Sequence, residues 1–195
     1  MRLKLKIFAL GLAATAVVTG LLLAGCAAKP YAPVKANFLS TYIHLRKIDD
    51  TTWRYINTNR LAIYNKFMIT SAVVMPSEFD GKPITAEQKQ KASAFIREAL
   101  TKALEPAYPV VTTPGPDVGQ IRIAITSVYK TEDRVGLTVE GEVLDVSSAV
   151  QVAAVMKSSV GHLYLGNWWD SHSAKEIVDS WAGRLRETID IAHAR

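Results

Sequence analysis

One cysteine, four histidines and no long charge block leave this 195-residue chain with few of the usual means of chemistry. With Cys26 alone no internal disulfide forms, so the fold must hold by packing. Gly-x-Ser-x-Gly is absent, as are a phosphate loop, a dinucleotide-type glycine pattern, zinc spacing and His-Glu-x-x-His. The histidines are scattered at 44, 162, 172 and 193. A hydrolase triad assembles from distant positions, yet nothing here selects one. The expectation is no catalytic residue, no metal and no cofactor. No internal repeat is visible either.

What is present begins at the N-terminus. Arg2, Lys4 and Lys6 precede an uncharged run from Ile7 to Leu23, and small residues follow up to Cys26. That order is the grammar of an export signal: cations stay inside, the apolar run enters the bilayer, and small side chains admit a peptidase. Leu23-Ala24-Gly25-Cys26 resembles the lipobox of bacterial lipoproteins, which implies cleavage before Cys26 and acylation of that residue. Residues 1–25 are then the signal peptide. The formal charge of +5 loses three cations with it, leaving about +2, so basicity gives no reason to expect nucleic acid. Residues 26–36, with Pro30 and Pro33, read as a lipidated tether reaching up to roughly 30 Å from the membrane. Residues 37–195 suffice for one domain.

Within that domain, Phe38 to Leu45 has the spacing of a short helical turn, and Trp53 and Tyr55 read as packing anchors after a polar turn. Phe67 to Met75 is an apolar, β-branched run that fits a buried strand. Thr85 and Gln88 have capping-box spacing, and apolar residues then recur at three and four up to Leu104, before Glu105-Pro106 stops the helix. Tyr108 to Thr112 reads as a short strand that closes a βαβ unit. Ile121, Ile123 and Ile125 alternate with Gln120, Arg122 and Ala124, and a second alternating stretch from Leu137 to Val146 is followed by a hairpin partner over 149–155. A final helix opens with Ser173 and Glu176 at capping-box spacing, its stripe running through Ile177, Val178, Trp181, Leu185, Ile189 and Ala192. The fold class is therefore α+β: a mixed β-sheet of four to five strands with two main helices packed on it, in the order β-α-β-β-β-β-α.

Two places invite a site. Glu140 and Glu142, two apart on a strand, project to one side and could suggest metal or acid/base chemistry. With no histidine or third acid nearby in sequence, they are expected to lie on a solvated outer face. The stretch 161–172 gathers His162, Tyr164, Trp168, Trp169, Asp170 and His172. It is a possible binding surface for an envelope protein or peptidoglycan, although a loop pinned over the sheet by a tryptophan explains it as simply. His162, Asp170 and His172 are also the candidates for a small envelope hydrolase or ligand-binding enzyme.

Beyond the lipobox, the chain resembles the domain-of-unknown-function 3313 family of bacterial envelope lipoproteins. Phe38-Leu39-x-x-Tyr42-x-x-Leu45, Trp53-Arg54-Tyr55, Tyr64-Asn65-Lys66-Phe67, Ala99 to Leu104, Pro114-Gly115-Pro116 leading into Ile121 to Thr126, and Trp181-Ala182-x-Arg184-Leu185 carry that resemblance through their order. It implies a location and a fold and brings no catalytic residue. Ala27, where inner-membrane lipoproteins have aspartate, implies the outer membrane with the domain facing the periplasm. The expected roles are a non-enzymatic binding or assembly module, the hydrolase just named, or a structural spacer.

Overall fold

The isoleucine alternation of 121–125 becomes the helix-facing side of a long strand, and the rest of the sheet is registered to it. The computed structural model describes residues 31–131, 134–162, 168 and 172–194. In chain order the elements are β1 (Arg46–Asp49), β2 (Thr52–Ile56), α1 (Thr58–Leu61), β3 (Lys66–Val74), a hairpin of β4 (Glu78–Phe79) and β5 (Lys82–Pro83), α2 (Ala86–Leu104), β6 (Val118–Thr131), β7 (Arg134–Asp145), β8 (Gln151–His162) and α3 (His172–His193). Six strands form one mixed sheet in the order β1-β2-β8-β7-β6-β3, slightly larger than expected. β3 runs parallel to β6 and the remaining pairs are antiparallel.

Four local readings change. Residues 38–45 are not helical: a single turn bond, from the Leu45 N–H to the Tyr42 carbonyl, closes a bent segment. Tyr108 to Thr112 contributes one parallel bridge, between Phe67 and Val110, so the strand that completes the βαβ unit is β6. The polar turn before Trp53 is part of a strand pair, and Trp53 stays 36% exposed while Tyr55 packs. Ser173 lies inside α3 and is buried against β8, where a Cβ on Gly161 would stand 2.5 Å from the Ser173 Cβ. That close approach, rather than a cap, is the job of Ser173.

Other expectations are met. Thr85 Oγ1 accepts from the Gln88 N–H at 3.2 Å and Gln88 Oε1 accepts from the Thr85 N–H at 2.9 Å, completing the capping box. α2 buries Ala92, Ile96, Ala99, Leu100 and Leu104; α3 buries Ile177, Val178, Trp181 and Ile189. Both pack on the same side of the sheet, over Phe67, Ile121, Ile125 and Leu137. Six strands at about 4.8 Å spacing span about 24 Å, whereas two helices about 10 Å apart cover about 20 Å. α2 sits over β3, and α3 over β7 and β8. The helix side of β2 and β1 is thereby left without a roof.

Candidate functional site

On the face away from the helices, register puts Arg122, Glu142 and Ala154 in one row and Ala124, Glu140 and Met156 in the next. The solvated acidic face expected there is absent. Instead Glu140 is fully buried and Glu142 is 3% exposed, because the chain before β1 crosses over them as a strap. Glu140 accepts from the Ala36 N–H at 2.7 Å, the Phe38 N–H at 3.1 Å and the Tyr42 hydroxyl at 2.6 Å. Glu142 accepts from the Ser40 N–H at 2.9 Å, the Ser40 hydroxyl at 2.7 Å, Arg122 Nη1 at 2.8 Å and Gln151 Nε2 at 2.9 Å. Alternate amides of an extended segment point the same way, so the N–H groups of residues 36, 38 and 40 all reach the carboxylates. Burying a charge is costly unless donors surround it, and charge-assisted hydrogen bonds supply that compensation here.

The same contacts align the strap. Arg122 also donates to the Phe38 carbonyl and lies 4.9 Å from the centre of the Phe38 ring, while Gln151 donates to the Thr41 carbonyl. Leu39 and Leu45 close a small apolar cluster with Ala154 and Met156. Burial, and then the hydrogen bond to Glu140, push the Tyr42 hydroxyl up to about 12. At its first described residue, the Tyr31 N–H donates to Tyr129 Oη at 3.0 Å and the two rings lie 4.5 Å apart. Gly136 lies under that Tyr129 ring, where a Cβ would come within 2.1 Å of it. The strap therefore runs along β7 in the direction of that strand, from Gly136 toward Leu144. Of the stretch expected as a tether, Tyr31 and Ala36 are thus bonded to the sheet.

On the opposite face a groove opens where the helix layer ends, with a volume of about 260 Å³. Its floor is Gly141, Ala153 and Val155, successive neighbours across β7 and β8. Trp181 and Leu185 of α3 form one wall, and Trp181 is held to β8 by donating Nε1–H to Ser159 Oγ at 3.2 Å. Leu100 and Ile123 line its inner end. The outer rim is basic: Arg54 of β2, Lys157 of β8 and Arg184 of α3, beside Asp49 of β1. Lys157 donates to Thr52 Oγ1 at 3.0 Å, whereas the guanidinium groups of Arg54 and Arg184 have no hydrogen bond or ion pair among the described residues. Asp49 accepts from the Thr51 N–H and hydroxyl, which, with a smaller contribution from Lys157, hold its carboxyl below the usual range.

The aromatic stretch resolves differently. Trp168 is 1% exposed and belongs to the main core, as a residue pinning the loop would be. His172 opens α3, exposed, with Nε2 3.0 Å from Glu176 Oε1 on its own helix. His162 ends β8. Tyr164, Trp169, Asp170 and the lipidation candidate Cys26 lie outside the described residues. His44 stacks on Tyr55 at 4.8 Å, and His193 packs 5.1 Å from the Tyr108 ring. Among the described residues no three His, Cys, Asp or Glu side chains form a metal cluster, and no helix is long and apolar enough to cross a membrane. Sequence reasoning passes over Arg54, Lys157 and Arg184, which lie on three elements and share a rim only through the register of β2 with β8. The small residues at 141 and 153 are the available signal.

No curated protein matches the chain in sequence. Among solved structures, the PelC dodecamer from Paraburkholderia phytofirmans is 14% identical with a TM-score of 0.47, over 71% of this chain and 96% of that one. Protein XCC0632 from Xanthomonas campestris is 9% identical with a TM-score of 0.46, over 68% and 89%. A candidate lipoprotein from Caulobacter crescentus CB15 is 12% identical with a TM-score of 0.32, over 69% and 91%. The family model described as protein of unknown function (DUF3313) matches residues 35–136, from within the strap to the first residues of β7. That match spans more than half of the sequence, and the chain belongs to the DUF3313 family.

Proposed function

We propose that this protein is an envelope lipoprotein, acylated on Cys26 after loss of residues 1–25, whose domain is a non-enzymatic binding module for another envelope component. The strap carries this reading. It brings the start of the mature chain onto the sheet at Tyr31, five residues from Cys26, a reach of at most about 18 Å when fully extended. The anchor then holds the domain close to the bilayer, with the Tyr129 and Gly136 end of the β6–β7 pair toward it. About three acyl chains exceed the two signals that stable anchoring requires. Ala27 favours the outer membrane, with the domain in the periplasm. The two carboxylates that suggested acid/base work are engaged by strap donors, which supports a binding role over a catalytic one.

Mass spectrometry of the mature protein, with fractionation of a Gram-negative host, tests the proposal. The expected product starts at an acylated Cys26 in outer-membrane fractions, and Cys26→Ala accumulates uncleaved. An unmodified thiol on an uncleaved wild-type chain sinks the anchor, and a strong inner-membrane signal refutes the leaflet.

A further inference from the structure

The groove beside α3 combines an apolar interior with a basic rim, and neither property is explained by folding. A Cβ built on Gly141 meets only ordinary contacts at 3.7 Å, from the Arg122 carbonyl oxygen, Ile123 and Val155. No close backbone approach therefore demands glycine there; its effect is to keep the floor low. Arg54 and Lys157 are diagonal neighbours on the helix side of the sheet, since Arg54 pairs with Val155 and Thr52 with Lys157. Arg184 faces them from α3 across the opening. Three cations against the single acid Asp49 leave this rim positive, and two of the cations make no hydrogen bond or ion pair among the described residues. Inward from the rim, the lining changes to Ile123, Leu100 and Trp181.

We propose that this groove binds a single-chain anionic amphiphile, its acyl chain lying on Gly141 and Val155 against Trp181 and its head group held by Arg54, Lys157 and Arg184. The inference rests on the reading of the domain as a binding module near a membrane, and it names the ligand class. At about 260 Å³ the groove lies just below the usual range for small-molecule pockets, suited to one narrow chain and too small for a folded partner. The opening on one side and the depth on the other match a molecule with one charged end. A zwitterionic or cationic head group would lose the complementarity that two guanidinium groups, unpaired among the described residues, offer.

Photolabelling tests it, using the full mature protein in phosphatidylcholine nanodiscs with a diazirine-bearing dodecanoate. The expected adducts map to Trp181, Leu185 or Val155 and are competed by dodecanoate but not by dodecyltrimethylammonium. The doubly charge-reversed R54E/R184E variant, altered only at exposed positions, is expected to lose labelling about tenfold with an unchanged melting temperature. Gly141→Leu raises the floor and is expected to abolish labelling. Adducts spread over the surface, labelling unaffected by R54E/R184E, or a peptide of a second copy crosslinked into the groove each overturn the proposal. A labelled groove on a chain whose Cys26 is unmodified removes the anchor and keeps the ligand; an acylated chain with an unlabelled groove does the reverse.

Discussion

On the helix side of the sheet, Ile96, Leu100, Trp181 and Ile189 cover Phe67, Ile121, Ile125 and Leu137 with side chains alone; on the other side, backbone amides of the strap cover Glu140 and Glu142. Apolar burial is non-directional and scales with area, so the first face sets how closely the helices approach but tolerates several arrangements of them. Hydrogen bonds to a buried carboxylate are directional, and an unmet one is expensive, so the second face admits one position of the strap. The protein uses the loose force to make its core and the strict force to place its N-terminal segment. Placement matters more there, because the segment leads to the proposed anchor.

Breaking the dry face has the largest expected effect. Phe67 is fully buried, edge-on to Tyr108 with ring centres 5.8 Å apart, and Phe67→Ala should cost about 3–5 kcal/mol, read as a fall in the urea midpoint. Removing one acceptor from the wet face comes next. Glu142→Ala leaves Arg122, Gln151 and Ser40 without their shared partner and should cost about 2–4 kcal/mol. Hydrogen exchange should speed up at the Ser40 amide while amides within α2 keep their protection. Equal acceleration at both places would mean that the two faces do not act separately.

A smaller loss is expected from Tyr42→Phe, about 1.5 kcal/mol for one hydrogen bond to a carboxylate. This variant also sharpens the comparison through pH. The Tyr42 hydroxyl, raised to about 12, keeps its proton in the folded state where the unfolded chain releases it near pH 10. Its contribution is complete below about pH 10 and is lost as pH rises toward about 12. Tyr108 behaves alike from the helix side, raised to about 12 by burial and by donating to Asp190 at 2.9 Å. Urea midpoints from about pH 8 upward should therefore decline less steeply in Tyr42→Phe than in the wild type, without becoming flat. The smallest effect belongs to Thr85→Ala, about 1 kcal/mol from the lost N-cap, with exchange rising only in the first turn of α2.

Much of the frame is legible in the order of residues alone. The capping box at Thr85, the 121–125 alternation and the hairpin partner after 149 all depend on neighbours within a few residues, and all three are present. The acidic pair shows where legibility stops. Alternation states that Glu140 and Glu142 share a side of a strand, and it is silent on whether water or protein meets that side. Their partners at residues 36, 38 and 40 lie about a hundred positions earlier in the chain. The same segment has the apolar spacing of a helical turn and is not one, because spacing cannot register that its amides have carboxylates to bond. Ser173 likewise has the spacing of a cap but is drawn into the helix, packed against Gly161.

The sequence by itself determined strands β3, β6, β7 and β8, the two long helices and the α+β class, and it suggested the reading of Cys26 as an anchor, since periodicity, caps and signal grammar are local properties. Only the tertiary structure decided that β2 joins β8, that two acids are buried under a strap, and that Arg54, Lys157 and Arg184 border one groove. Each of these follows from strand register across the whole sheet and from two helices being narrower than six strands, and neither quantity is written in any short stretch of residues.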